Sequence, residues 1–120
     1  MIKVIRLEDK FALFTDLWSP KIVGRVDDYD VKIVKVQGEL VRHDHKDEDE
    51  FFYVLKGRFD LELDDGAVSL GPGEMAVVPR GVAHKPSAQE ETWLLVFESS
   101  KIKHTGDVMS ERTLTQFEEI

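Results

Sequence analysis

The sequence predicts an all-β protein, an antiparallel sandwich or barrel. Three observations carry that prediction. Short apolar runs are divided by turn signals every eight to twelve residues, two of the runs alternate apolar with polar side chains, and no 3.6-residue apolar stripe persists for three helical turns.

Taken in order, residues 8–14 (EDKFALF) allow only a short helical piece. Residues 31–36 (VKIVKV) alternate, which places one strand face in a core and the other in water. Phe59, Leu61 and Leu63 alternate with Asp60, Glu62 and Asp64 in the same way, and Asp64-Asp65-Gly66 then closes a hairpin. Leu70-Gly71-Pro72-Gly73 and Pro79-Arg80-Gly81 read as further turns. Two strands break the alternation: residues 51–55 (FFYVL) and 93–97 (WLLVF) are apolar at every position. Both of their faces need cover, from the N-terminal segment or from a second copy of the chain, so a homodimer is expected. From Ser99 onward apolar residues are sparse until Leu114 and Phe117, which reads as a strap over the body. The division expected is a core barrel over 21–98 and a C-terminal strap over 99–120, within one domain spanning 1–120.

A chain of 120 residues supports one hydrophobic core and not two. Its 24 acidic against 16 basic residues give a net charge of −8, a field that repels phosphate backbones and anionic lipid surfaces. Nucleic acid and membrane are therefore poor partners, and a small molecule is the expected one. The absence of cysteine removes disulfides, thiolate metal sites and thiol nucleophiles, leaving His, Asp and Glu as metal ligands. No apolar run reaches the length of a membrane span, and the N-terminus lacks a signal-peptide core, so the expected location is cytoplasmic.

Two of the four histidines, His43 and His45, stand at i and i+2 after an apolar stretch. On a strand that spacing points both imidazoles to one side. Beyond an acidic loop, Glu50 opens the FFYVL strand, where an isolated carboxylate is costly to bury and a cation would relieve the cost. Taken alone, the acidic run Asp47-Glu48-Asp49 reads as a solvated loop, and His84 as a structural histidine. His104 reads as a tail residue.

Residues 38–57 (GELVRHDHKDEDEFFYVLKG) fit G-x4-H-x-H-x4-E-x6-G, and residues 73–84 (GEMAVVPRGVAH) fit G-x5-P-x-G-x2-H. This pair of motifs resembles that of the cupin superfamily, in particular the small mannose-6-phosphate-isomerase-like cupins. The resemblance implies an antiparallel double-stranded β-helix, a jelly-roll barrel, with a metal in its mouth. It implies that His43, His45, Glu50 and His84 are the metal ligands. Two positions depart from the family pattern: Gly38 precedes His43 by one residue fewer than usual, and Ala88 replaces an Asn that is not a ligand.

Three imidazoles and a carboxylate suit Fe(II), Mn(II), Ni(II), Co(II) or Zn(II) better than calcium or magnesium. Strand parity that turns Glu50 inward also turns Phe52 and Val54 inward, as an apolar pocket lining. Two functions are expected from such a site. One is a metal-dependent enzyme on a small oxygenated substrate, dioxygenase-like or isomerase-like; the other is a non-catalytic module whose metal organises a ligand pocket. A phosphosugar substrate would need nearby cations. Arg42, Arg80 and Lys85 read as surface charges, and Arg42 and Tyr53 have parity away from the metal.

Overall fold

The computed structural model describes residues 2–101 and 117–120; most of the expected strap, with His104 and Leu114, lies outside the described residues. One short helix, α1 (Leu7–Phe11), precedes seven strands: β1 (Lys21–Val26), β2 (Tyr29–Glu39), β3 (Glu50–Lys56), β4 (Phe59–Leu63), β5 (Gly66–Leu70), β6 (Met75–Val78) and β7 (Lys85–Ser99). A two-residue strand, β8 (Glu118–Glu119), follows near the C-terminus.

The long strand β7 organises the sheet. It pairs with β2 along most of its length, with β4 at its start and with β3 at its end, while β3 also pairs with β6 and β4 with β5. The result is the expected β-barrel, but the sheet is mixed. Residues 118–119 run parallel to β1, with Lys21 opposite Glu118, and the Lys21 ammonium holds Glu118 at 3.0 Å. That charge pair and the Ile120 N–H bonded to the Ile22 carbonyl fix a direction that hairpin turns do not impose.

The inner core gathers Val34 and Val36 of β2, Phe52 and Val54 of β3, Phe59 and Leu61 of β4, and Leu94 and Val96 of β7. Burying each large apolar side chain contributes about 1.5–3 kcal/mol. The 64–65 turn closes the β4–β5 hairpin with Leu63 opposite Gly66. Between β3 and β4, Gly57 adopts φ +89°, and a Cβ there would lie 2.4 Å from Thr92 Oγ1, so both conformation and space require glycine.

Strand β2 corrects the expectation of one wet face. Lys32 lies on the inner face with Val34 and Val36 and is fully buried, while Ile33 and Lys35 are covered from outside. The inward lysine is tolerated because its ammonium sits 2.9 Å from the Glu98 carboxylate. The outer face of β3 and β7 is only partly covered. Phe11 of α1 stacks on Trp93 with ring centroids 4.5 Å apart, and Leu55 joins that cluster. Phe51, Tyr53, Leu95 and Phe97 remain half-buried. Among the described residues no helix is long and apolar enough to cross a membrane.

Candidate metal centre

The site is assembled by backbone pairing between distant segments. His43 and His84 form a bridge outside the named strands, each N–H donating to the other's carbonyl at 3.0 and 2.9 Å. The Gly81 N–H donates to the His45 carbonyl at 2.8 Å, and Gly81 takes φ +80° to turn the chain there. Glu50 pairs with Val78 across β3 and β6, immediately before the Pro79-Arg80-Gly81 turn. Asp49 belongs to this framework, accepting the Arg80 N–H at 2.9 Å; the Arg80 groups hold its carboxyl below the usual range.

These pairings bring His43, His45, Glu50 and His84 together, all buried, with one ligand atom from each within 4.8 Å of the others. The orientation of two imidazoles is fixed from behind. His43 Nδ1 lies 2.7 Å from the Val41 carbonyl and His84 Nδ1 lies 3.0 Å from the Val82 carbonyl. A carbonyl only accepts, so each Nδ1 carries the proton and each Nε2 presents a lone pair to the centre. There His43 Nε2, His45 Nε2, His84 Nε2 and Glu50 Oε1 are all buried without a hydrogen-bond partner. Glu50 Oε1 lies 3.2 Å from His45 Nε2 and 3.5 Å from His84 Nε2. For His84, whose Nε2 is unprotonated, that approach sets lone pair against lone pair, an arrangement a cation relieves.

The electrostatics favour the same occupant. Burial lowers the His43 pKa from 6.5 to about 4, with the Val41 carbonyl pulling the other way, so the imidazole is neutral and free to ligate at neutral pH. Burial pushes the Glu50 carboxyl up, but hydrogen-bonding contacts, with His45 first and Glu98 among them, hold it below the usual carboxylate range. Imidazole nitrogens gathered around a carboxylate oxygen suit a divalent ion.

Beside the cluster lies a cavity of ≈ 40 Å³. Its wall is mostly apolar, with Trp18, Val34, Phe52 and Leu94, and its titratable side chains are His43, Glu50 and Glu98. Phe52 lines this cavity as its parity requires, whereas Val54 is fully buried in the core and is not on the wall. Arg42 points away and pairs with Glu62 and Asp64 at the surface, Lys85 pairs with Glu39, and Tyr53 faces outward.

Among the wall residues that sequence reasoning missed are Trp18 and Glu98. Trp18 comes from the segment before β1, in a left-handed conformation (φ 58°), with its indole N–H donating to the Gln37 carbonyl at 2.9 Å; no local pattern marks it. Glu98 shares the inward parity of Leu94 and Val96, and that parity was a usable signal. Burial and the neighbouring Glu50 carboxylate push the Glu98 carboxyl well above the usual range, with Lys32 opposing them.

Comparison with known proteins places this architecture. The model of the Cupin_2 family, a cupin domain, matches residues 31–98. A crystal structure of a cupin-2 domain containing protein from Shewanella frigidimarina NCIMB 400 is 45% identical, with a TM-score of 0.79 over 80% of this chain and 94% of that one. Protein NMB1881 from Neisseria meningitidis is 29% identical, with a TM-score of 0.74 over 82% of this chain and all (100%) of that one. The protein YdbB of Bacillus subtilis (strain 168) is 29% identical over 77 residues, 63% of this chain and 68% of its own length.

Proposed function

The chain is a member of the Cupin_2 family, and from that premise we propose that it is a metal-dependent enzyme acting on a small oxygenated molecule. His43, His45, Glu50 and His84 hold the ion. The observation that carries this reading is the convergence of four buried ligand atoms, none with a hydrogen-bond partner, within 4.8 Å. A closed structural centre would not need the adjoining cavity; a catalytic one does, because a substrate must reach the ion.

When bound, an iron, manganese, zinc, nickel or cobalt ion supplies Lewis-acid polarisation of a substrate oxygen or, for iron, dioxygen chemistry. The chain's own contribution is positional. The Val41 and Val82 carbonyls keep the His43 and His84 rings in one tautomer and one orientation. Phe52, Val34 and Leu94 exclude water from the space beside Glu50, which strengthens every charge interaction there. The small cavity limits the substrate to a few heavy atoms at the reacting end.

Elemental mass spectrometry on untagged protein, wild type against His84→Ala, tests the reading. About one equivalent of a divalent transition metal is expected in the wild type and less than about a tenth of that in the variant. Iron would make oxygen uptake the next assay; manganese, zinc, nickel or cobalt would direct it to isomerisation. Wild-type protein that stays empty after reconstitution would overturn the assignment, and stoichiometric metal without turnover on small hydroxylated substrates would point to a binding module.

A further inference from the structure

The outer face of β3 and β7 is treated differently at its two ends. At one end Leu55 and Trp93 pack with Phe11 of α1. In the middle Tyr53 stands opposite Leu95, and at the far end Phe51 stands opposite Phe97. Among the described residues no element covers that far end, which opens as a groove of ≈ 480 Å³. Phe51, Phe97, Val77 and Tyr29 form its apolar floor, with Tyr29 stacked on Phe97 at 5.4 Å between ring centroids. Its rim is acidic: Asp49 is matched by Arg80, while Asp47 and Glu48 have no ion pair among the described residues. A second unpartnered feature lies beside the covered end. Residues 2–6 (IKVIR) lead into α1, and Ile2 and Val4 share one side of that segment at 96% and 98% exposure. Lys3 is exposed too, and Arg6 meets only the exposed Asp9, 3.7 Å away.

We propose that this groove receives the N-terminal arm of a second copy of the chain, the two copies meeting outer face to outer face across a two-fold axis near Tyr53 and Leu95. The inference is independent of the metal centre. Symmetry makes the fit mutual: rotation about the middle pair sets the α1 end of each copy against the open end of the other, so both grooves are filled by one isologous contact. Trp93 and Phe97 are four strand residues apart, roughly 13 Å. An extended arm of five residues reaches up to about 17 Å, enough to cross the partner's groove. The chemistry matches as well. Ile2 and Val4 leave water for the aromatic floor, and Lys3 and Arg6 meet Asp47 and Glu48. Two copies that each carry a net charge of −8 repel, so an interface between them needs cations placed locally against an acidic rim, and the arm supplies them. Within one chain the arm does not lie in its own groove, as the exposure of Ile2 and Val4 shows.

Light scattering on the full chain across the micromolar range tests the exchange through its mass. Wild-type protein is expected at twice the chain mass. Reversing the arm (Lys3→Glu with Arg6→Glu) or the rim (Asp47→Lys with Glu48→Lys) is expected to raise the dimer dissociation constant about tenfold, and combining all four substitutions to restore it. None of the four positions is buried, so the barrel is expected to fold in each variant. The cysteine-free sequence allows a second measurement that does not depend on charge. Chains carrying Val4→Cys and chains carrying Val77→Cys, mixed and oxidised, are expected to join to each other in preference to themselves. Monomeric wild-type protein would overturn the proposal, as would a dimer indifferent to the charge reversals or reversals that fail to rescue one another. Self-pairing in place of the mixed disulfide would also overturn it. A chain with both cysteines that closes the bond within a monomer would give the groove to the chain's own arm, and the exchange would fall.

Discussion

Two buried polar groupings in this barrel follow opposite rules. Thr92 on β7 is fully buried, and its hydroxyl donates to the Arg58 carbonyl at 3.0 Å, accepts the Arg58 N–H at 3.1 Å and lies 3.0 Å from the Glu90 carbonyl. Its one proton and one of its lone pairs are engaged by the chain itself, which ties the β3–β4 turn to β7. Around Glu50 four ligand atoms are as deeply buried and none has a hydrogen-bond partner. The difference teaches where to look for function: a polar group that only stabilises is satisfied within the fold, and one that serves a ligand is left waiting for it.

The largest expected effect sharpens that contrast. Zinc added in 1,000-fold excess over its dissociation constant should stabilise wild-type protein by about 4 kcal/mol, read as a rise in the thermal unfolding midpoint. The His84→Ala variant should show almost none of this rise, while Thr92→Val should keep all of it. An equal response in His84→Ala would show that the ion binds elsewhere.

Acidification probes the same contrast in the metal-free protein. Because burial lowers the His43 pKa from 6.5 to about 4, the unfolded chain binds a proton in that window and the folded chain does not. Stability therefore falls as pH drops from about 6.5 to 4, by up to about 3 kcal/mol for this one group. Glu98, whose carboxyl is pushed up, acts with the opposite sign above pH 4.5, so the His43 contribution is best isolated as wild type minus His43→Asn in urea unfolding. A difference that stays flat across the window would show that His43 is protonated inside the barrel.

The smallest effect comes from the satisfied grouping. Thr92→Val deletes a hydroxyl and leaves the Arg58 groups short of a partner, at a cost of about 1–3 kcal/mol with metal content unchanged. Loss of metal in that variant would mean that the two groupings are coupled through β7.

Much of this was legible in the chain. The β class followed from turn spacing, and the four clustered residues from the motif pair, because His43, His45 and Glu50 are close in sequence and a short turn fixes their relation to one another. His84 is 41 residues from His43, and only the family resemblance linked them; the structure does so through a two-bond backbone bridge. The inward Lys32 was misread, since local alternation groups it with solvent. Its partner Glu98 stands 66 residues away, a separation no periodicity spans. The mixed sheet was hidden for the same reason, the parallel pairing of 118–119 with β1 being a contact between the two ends of the chain.

The reach of β7 has a consequence for the order in which the molecule is made. This strand is the common neighbour of β2, β3 and β4, and synthesis reaches its end only at Ser99. A nascent chain that has passed Glu50 already displays two histidines and a carboxylate, but the fourth donor and the strand that closes the barrel around it are still to come. During translation the first three donors are therefore a loose, exposed set until His84 and β7 have followed them out of the ribosome.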